Sequence, residues 1–80
     1  MSALHNNKLN TLARILKTKN IVEFKHKEHY YEIFLSADSG YIVNIYSSDA
    51  RDEEDELIEA NMIDGGVCEG SARDAVAFML

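Results

Sequence analysis

The sequence has no proline and no tryptophan, a single cysteine and only four glycines in 80 residues. With no proline, no repeat and no low-complexity stretch, nothing marks an internal boundary, so residues 1–80 read as one small globular domain. The lone cysteine, Cys68, cannot form a disulfide within the chain. That excludes the usual staple of small secreted folds and points to a reducing, cytoplasmic setting. No apolar run approaches the ~18–20 residues of a membrane span, and the opening "MSALHNNKLN" lacks the basic start and apolar core of a secretory signal. Positive charge is also scarce: 8 Lys and Arg face 14 Asp and Glu, a net charge of −6. Such a chain repels phosphate backbones, which argues against direct nucleic-acid binding. A domain of this length buries only about 60–65% of its unfolded surface, so a partner subunit, a second copy included, is the natural source of further stability.

What is present has a clear order. In "NNKLNTLARILKTKN", Leu9, Leu12, Ala13 and Leu16 follow the i, i+3, i+4, i+7 spacing of one helical face, which predicts a helix over about residues 7–18. Asn6 or Asn7 suits its N-cap, and Lys17 and Lys19 suit the negative end of its dipole. Ile21 to Lys25 and "YYEIFLSADSGYIVNIYS" are rich in aromatic and β-branched residues, with Asp38, Ser39 and Gly40 as turn formers. They predict a three-stranded antiparallel meander. Tyr31, Ile33 and Leu35, with Tyr41, Val43 and Ile45, fall on the face that the first helix covers. Phe34, Ile42 and Tyr46 fall on the other, which later elements or another chain must cover.

The stretch "SSDARDEEDEL" holds six carboxylates in eight residues: Asp49, Asp52, Glu53, Glu54, Asp55 and Glu56. Ser48 or Asp49 fits an N-cap, and Asp52, Glu53 and Glu54 a first helical turn, with Leu57, Ile58 and Met62 as an apolar edge. A further helix is expected at "SARD", where Ser71 and Asp74 form a variant capping box and Ala75, Val76, Met79 and Leu80 give an apolar side. "DGGVCEG" between them is a glycine-rich loop or a short fourth strand near residues 65–69. The expected fold class is therefore α+β, in the order α-β-β-β-α-α.

Few residues carry recognisable chemistry. The acidic run fails the calcium-loop pattern: counted from Asp49, Arg51 stands where an oxygen ligand is needed and Glu54 where glycine is needed. Gly65 and Gly70 have phosphate-loop spacing, but Ser71 and Ala72 replace the lysine and the magnesium-binding hydroxyl. Arg73 lies five residues after Cys68, where a phosphatase-type loop needs six, and Glu69 repels phosphate. Cys68 is thus the single candidate for thiol chemistry, and its ordinary role is as a small buried residue. His26 and His29 lack the third and fourth ligands of a zinc site, and His5 is distant in sequence. No metal, cofactor or catalytic residue is expected.

The order helix, three antiparallel strands, helix over residues 7 to 62 resembles the double-stranded RNA-binding domain. That family uses a lysine-rich start to its second helix, where this chain has Asp52, Glu53, Glu54 and Asp55, so the resemblance implies architecture without RNA binding. "YYEIFLSADSGYIVNIYS" followed by "CEGSARDAV" is similar to the strand hairpin, glycine and alanine-containing helix of HicB-type antitoxins, which implies an antitoxin-type subunit as an alternative. The expectation the residues favour is a non-enzymatic inhibitor or regulator of the size found among phage and mobile-element accessory proteins. It would bind a basic protein surface through Asp49, Asp52, Glu53, Glu54, Asp55 and Glu56, with Tyr30, Tyr41 or Tyr46 as aromatic anchors. A thiol-dependent enzyme or sensor built on Cys68 is the reading from a different class.

Overall fold

A computed structural model describes residues 6–78. The elements run α1 (Asn6–Lys19), β1 (Ile21–His26), β2 (His29–Ser36), β3 (Gly40–Tyr46), a 3₁₀ turn (Glu59–Asn61), β4 (Met62–Cys68) and α2 (Ala72–Ala77). The four strands form one antiparallel sheet in the order β1-β2-β3-β4. Both helices pack on one face. Leu9, Leu12, Ala13 and Leu16 of α1 and Ala72, Ala75 and Val76 of α2 meet Val22, Tyr31, Ile33, Val43, Ile45 and Cys68 of the sheet. The apolar spacing expected for the first helix is the spacing that is buried.

Local chemistry sets the boundaries. Asn6 and Asn7 lie within α1, so neither is its cap, and whatever precedes them lies outside the described residues, as do His5, Met79 and Leu80. Asn20, at φ 66°, ends the helix: its amide reaches the Leu16 carbonyl at 2.8 Å, the left-handed cap that asparagine tolerates. Its own carbonyl accepts from Leu35 at 2.9 Å, which starts the β1–β2 ladder. Lys27 and Glu28 both take positive φ in the two-residue turn of that hairpin. Ala37–Ser39 close the next turn, with Gly40 at φ 89°, where a Cβ would stand 2.9 Å from the Cys68 carbonyl oxygen. Ser71 and Asp74 form the expected capping box at α2: Asp74 N–H donates to Ser71 Oγ at 3.2 Å and Ser71 N–H to Asp74 Oδ2 at 3.1 Å.

The acidic run departs from the expected helix. Residues 47–58 are a long β3–β4 connection, and only the 3₁₀ turn precedes β4. In a helix the carboxylates of 52–56 would stack at i, i+3 and i+4 and repel. Aspartate also competes for backbone amides through its side chain, as Asp52 does here. "DGGVC" is strand, the fourth of the sheet, with a register shift opposite Ile45 and Tyr46.

Candidate functional site

The β3–β4 connection is an ordered hairpin. Ser47 N–H donates to the Asn61 carbonyl at 2.8 Å and Ile58 N–H to Ala50 at 3.3 Å, while Arg51 and Leu57 form a bridge. At the tip, Asp52 N–H reaches the Glu56 carbonyl at 2.9 Å and Asp55 N–H the Asp52 carbonyl at 3.0 Å. Asp52 Oδ1 accepts from the amides of Glu54, at 2.9 Å, and Glu56, at 3.1 Å. Asp55 takes φ 63°, a conformation aspartate visits more readily than most residues. Asp52 is therefore the structural carboxylate of the run; Asp49, Glu53, Glu54, Asp55 and Glu56 are exposed around it.

Arg51 ties this hairpin to the sheet. Its Nη1 donates to the Asp55 carbonyl at 3.1 Å and its Nη2 to Glu23 Oε1 on β1. The hydrogen bond to Glu23, then the charge of Glu23, hold the guanidinium above its ordinary pKa. The tether places Asp49, Arg51 and Leu57 beside Glu23, Lys25 and Tyr30 around an open cleft of about 200 Å³. Leu57 is buried, the part of the expected apolar edge that finds cover.

The sheet face away from the helices is partly open. Register places three rows across it. The first, Ile21–Phe34–Ile42–Val67, crosses all four strands and spans about 14 Å. Ile21 and Val67 are 42% and 47% exposed, and Phe34 and Ile42 are half-buried. The second row is polar: Glu23–Glu32–Asn44–Gly65. The third, Lys25–Tyr30–Tyr46–Met62, lies at the hairpin end, with the Lys25 ammonium 5.6 Å from the Tyr30 ring centre. Of the aromatic anchors expected from sequence, Tyr30 and Tyr41 are half-buried, but Tyr46 is not available. It is buried, and its hydroxyl donates to Glu32 Oε1 at 3.2 Å. Burial, then the charge and hydrogen bond of Glu32, push its pKa up.

The other sequence candidates separate. Cys68 is buried in the core opposite Tyr41. Arg73 points its Nε to Asn10 Oδ1 on α1 at 3.0 Å. His26 and His29 stand opposite each other across the β1–β2 turn. Among the described residues, no group of three or more His, Cys, Asp or Glu side chains is placed to hold a metal ion, and no helix is long and apolar enough to cross a membrane. Sequence reasoning located the carboxylates but missed the Arg51–Glu23 tether, 28 residues apart, and the transverse apolar row, which exists only once the register is known. Comparison with protein-family models, curated proteins and solved structures gives no match.

Proposed function

We propose that this is a non-enzymatic binding protein, an inhibitor or regulator, that docks its acidic β3–β4 hairpin on a basic surface of a partner protein. The observation that carries the reading is the bonding of the hairpin: Asp52 and Arg51 hold the turn, so Asp49, Glu53, Glu54, Asp55 and Glu56 are displayed on a backbone with little conformational freedom left to lose on binding. The open sheet face beside it, with Ile21, Phe34, Ile42 and Val67, offers apolar contact next to the charge. Charge at such a rim steers association and sets partner choice more than it adds affinity. The test is the triple reversal E53K/E54K/E56K, which spares Asp52 and the left-handed Asp55. Wild type and variant, tagged and nuclease-treated, are compared for co-purifying protein at about 50 mM and about 500 mM salt. A stoichiometric protein held by wild type at low salt, released at high salt and lost from the variant is expected. A partner held equally by both proteins overturns the reading.

A further inference from the structure

The sheet has two free edges, and they differ. β4 is interrupted by a register shift and carries Gly65 and Gly66. β1 is continuous: six residues pair with β2 without a break. The Leu35–Asn20 bond and the two-residue turn between His26 and His29 fix which groups face inward. By antiparallel alternation, the backbone groups of Asn20, Val22, Phe24 and His26 face β2, and those of Ile21, Glu23 and Lys25 face out. Among the described residues, no backbone hydrogen bond joins those outward groups to any loop or helix. A free, unbroken edge of this kind is a template for another strand.

We infer that β1 pairs with β1 of a second copy, antiparallel about a two-fold axis at Phe24, to give a continuous eight-stranded sheet. The choice of partner comes from self-complementarity. Registers that keep outward groups facing each other differ by two residues. One sets Glu23 against Glu23, which like charge disfavours. The register centred on Phe24 sets Glu23 against Lys25 of the second copy, and Lys25 against Glu23, so two opposite-charge pairs form with four backbone hydrogen bonds. Arg51 engages Glu23 Oε1, which leaves the second carboxylate oxygen for that lysine, and Glu32 directly opposite Glu23 on β2 adds negative charge for the two cations. Phe24 meets its counterpart in the closer, non-hydrogen-bonded type of pair and extends its stack on Tyr31, whose ring centre is 5.0 Å away. Exposed Ile15 on α1 and Ile21 line a second cleft along this edge, and the register brings the β1–β2 turn of the second copy beside it. The arrangement is isologous, as a two-fold requires. It does not rest on the acidic-hairpin reading.

Sedimentation across about 5 to about 500 µM tests it, since an interface this small belongs to the weak class. Wild type forms a dimer over that range. K25E and E23K, each confirmed folded by far-UV circular dichroism, are monomers alone, because each faces like charges across the axis. Mixed in equal amounts they dimerise, because every pair is then opposite in sign. In wild type, the amides of Glu23 and Lys25 slow their hydrogen exchange as concentration rises, while that of Ile21, which faces the turn of the second copy, does not. A wild type that stays monomeric at the top concentration, or a mixture no more associated than its components, overturns the inference; so does a dimer in which the Glu23 and Lys25 amides exchange freely.

Discussion

Replacing Asp52 by alanine removes the one carboxylate of the acidic run that is bonded to its own backbone. Two amides, those of Glu54 and Glu56, lose their acceptor at 2.9 and 3.1 Å. Loss of a comparable side-chain acceptor at a helix start costs about 0.5–2 kcal/mol. For this exposed turn about 1 kcal/mol is the working figure, equivalent to about a fivefold rise in the open population of the tip. Asp52→Asn is the matched control: it removes the same charge but keeps an oxygen at the same place. Hydrogen exchange by NMR separates the two. In D52A the Glu54 and Glu56 amides exchange about fivefold faster or more, while in D52N they stay much closer to wild type. Amides of Ile33 and Val43 in the buried sheet are unchanged in both, because the tip opens locally. Equal exchange rates in D52A and D52N would show that the Asp52 side-chain oxygen does not hold the turn.

Gly40→Ala forces a Cβ into positive φ and to 2.9 Å from the Cys68 carbonyl oxygen, between β3 and the end of β4. The conformation costs about 1–2 kcal/mol and the contact adds strain, so a loss of about 2–3 kcal/mol is expected. At about 4–8 °C per kcal/mol this is a fall in Tm of about 10–20 °C by calorimetry; a change under about 3 °C would contradict the close approach. Tyr46 gives a pH prediction. Its pKa is raised by burial first and then by Glu32, so the folded state holds the phenol proton more tightly than the unfolded chain. The associated stability is complete below about pH 10 and is lost as pH climbs past about 10. Denaturant titrations between about pH 9 and 11.5 should show a shallower decline in Y46F than in wild type, with Tyr31, raised by burial, contributing the remainder. Identical slopes would refute the assignment.

The parts of the fold that were legible in the sequence are those where local pattern and tertiary need agree. Leu9, Leu12, Ala13 and Leu16 repeat at helical spacing and are buried together. Gly40 and the alternation in Tyr31–Ile33 and Val43–Ile45 name a hairpin and its inner face. Ser71 and Asp74 spell a cap and form one. Where the two disagree, the pattern misleads. The run from Asp49 to Glu56 has the charge of a helix start, but Asp52 turns its carboxylate onto the backbone and Asp55 adopts a left-handed φ, so the segment is a hairpin. "MIDGGVC" has two glycines that discourage strand, yet β3 is left with an unpaired edge that this segment satisfies. Lys27 and Glu28 occupy turn positions that favour asparagine and glycine, so their turn had no marker. Of the candidate site, the charges were visible and the tether was not, because Glu23 and Arg51 are brought together only by the fold.

The hairpin and the β1 edge bear on one another through symmetry. A two-fold axis normal to the sheet keeps both open faces on the same side, so in the β1-paired dimer both acidic hairpins project toward the same partner surface. The proposed dimer then presents the carboxylate set twice, once from each chain, and the second contact would be made at the effective concentration set by the sheet between them. The two proposals remain separable by their variants. E53K/E54K/E56K lies outside β1, so it removes partner binding and leaves dimerisation at wild-type strength. K25E leaves every hairpin carboxylate in place, so a single hairpin still makes its contact while the gain from pairing is lost. That gain appears as a steeper salt dependence in wild type at concentrations where it is dimeric than at concentrations where it is monomeric, because two hairpins release more bound ions from a basic surface than one.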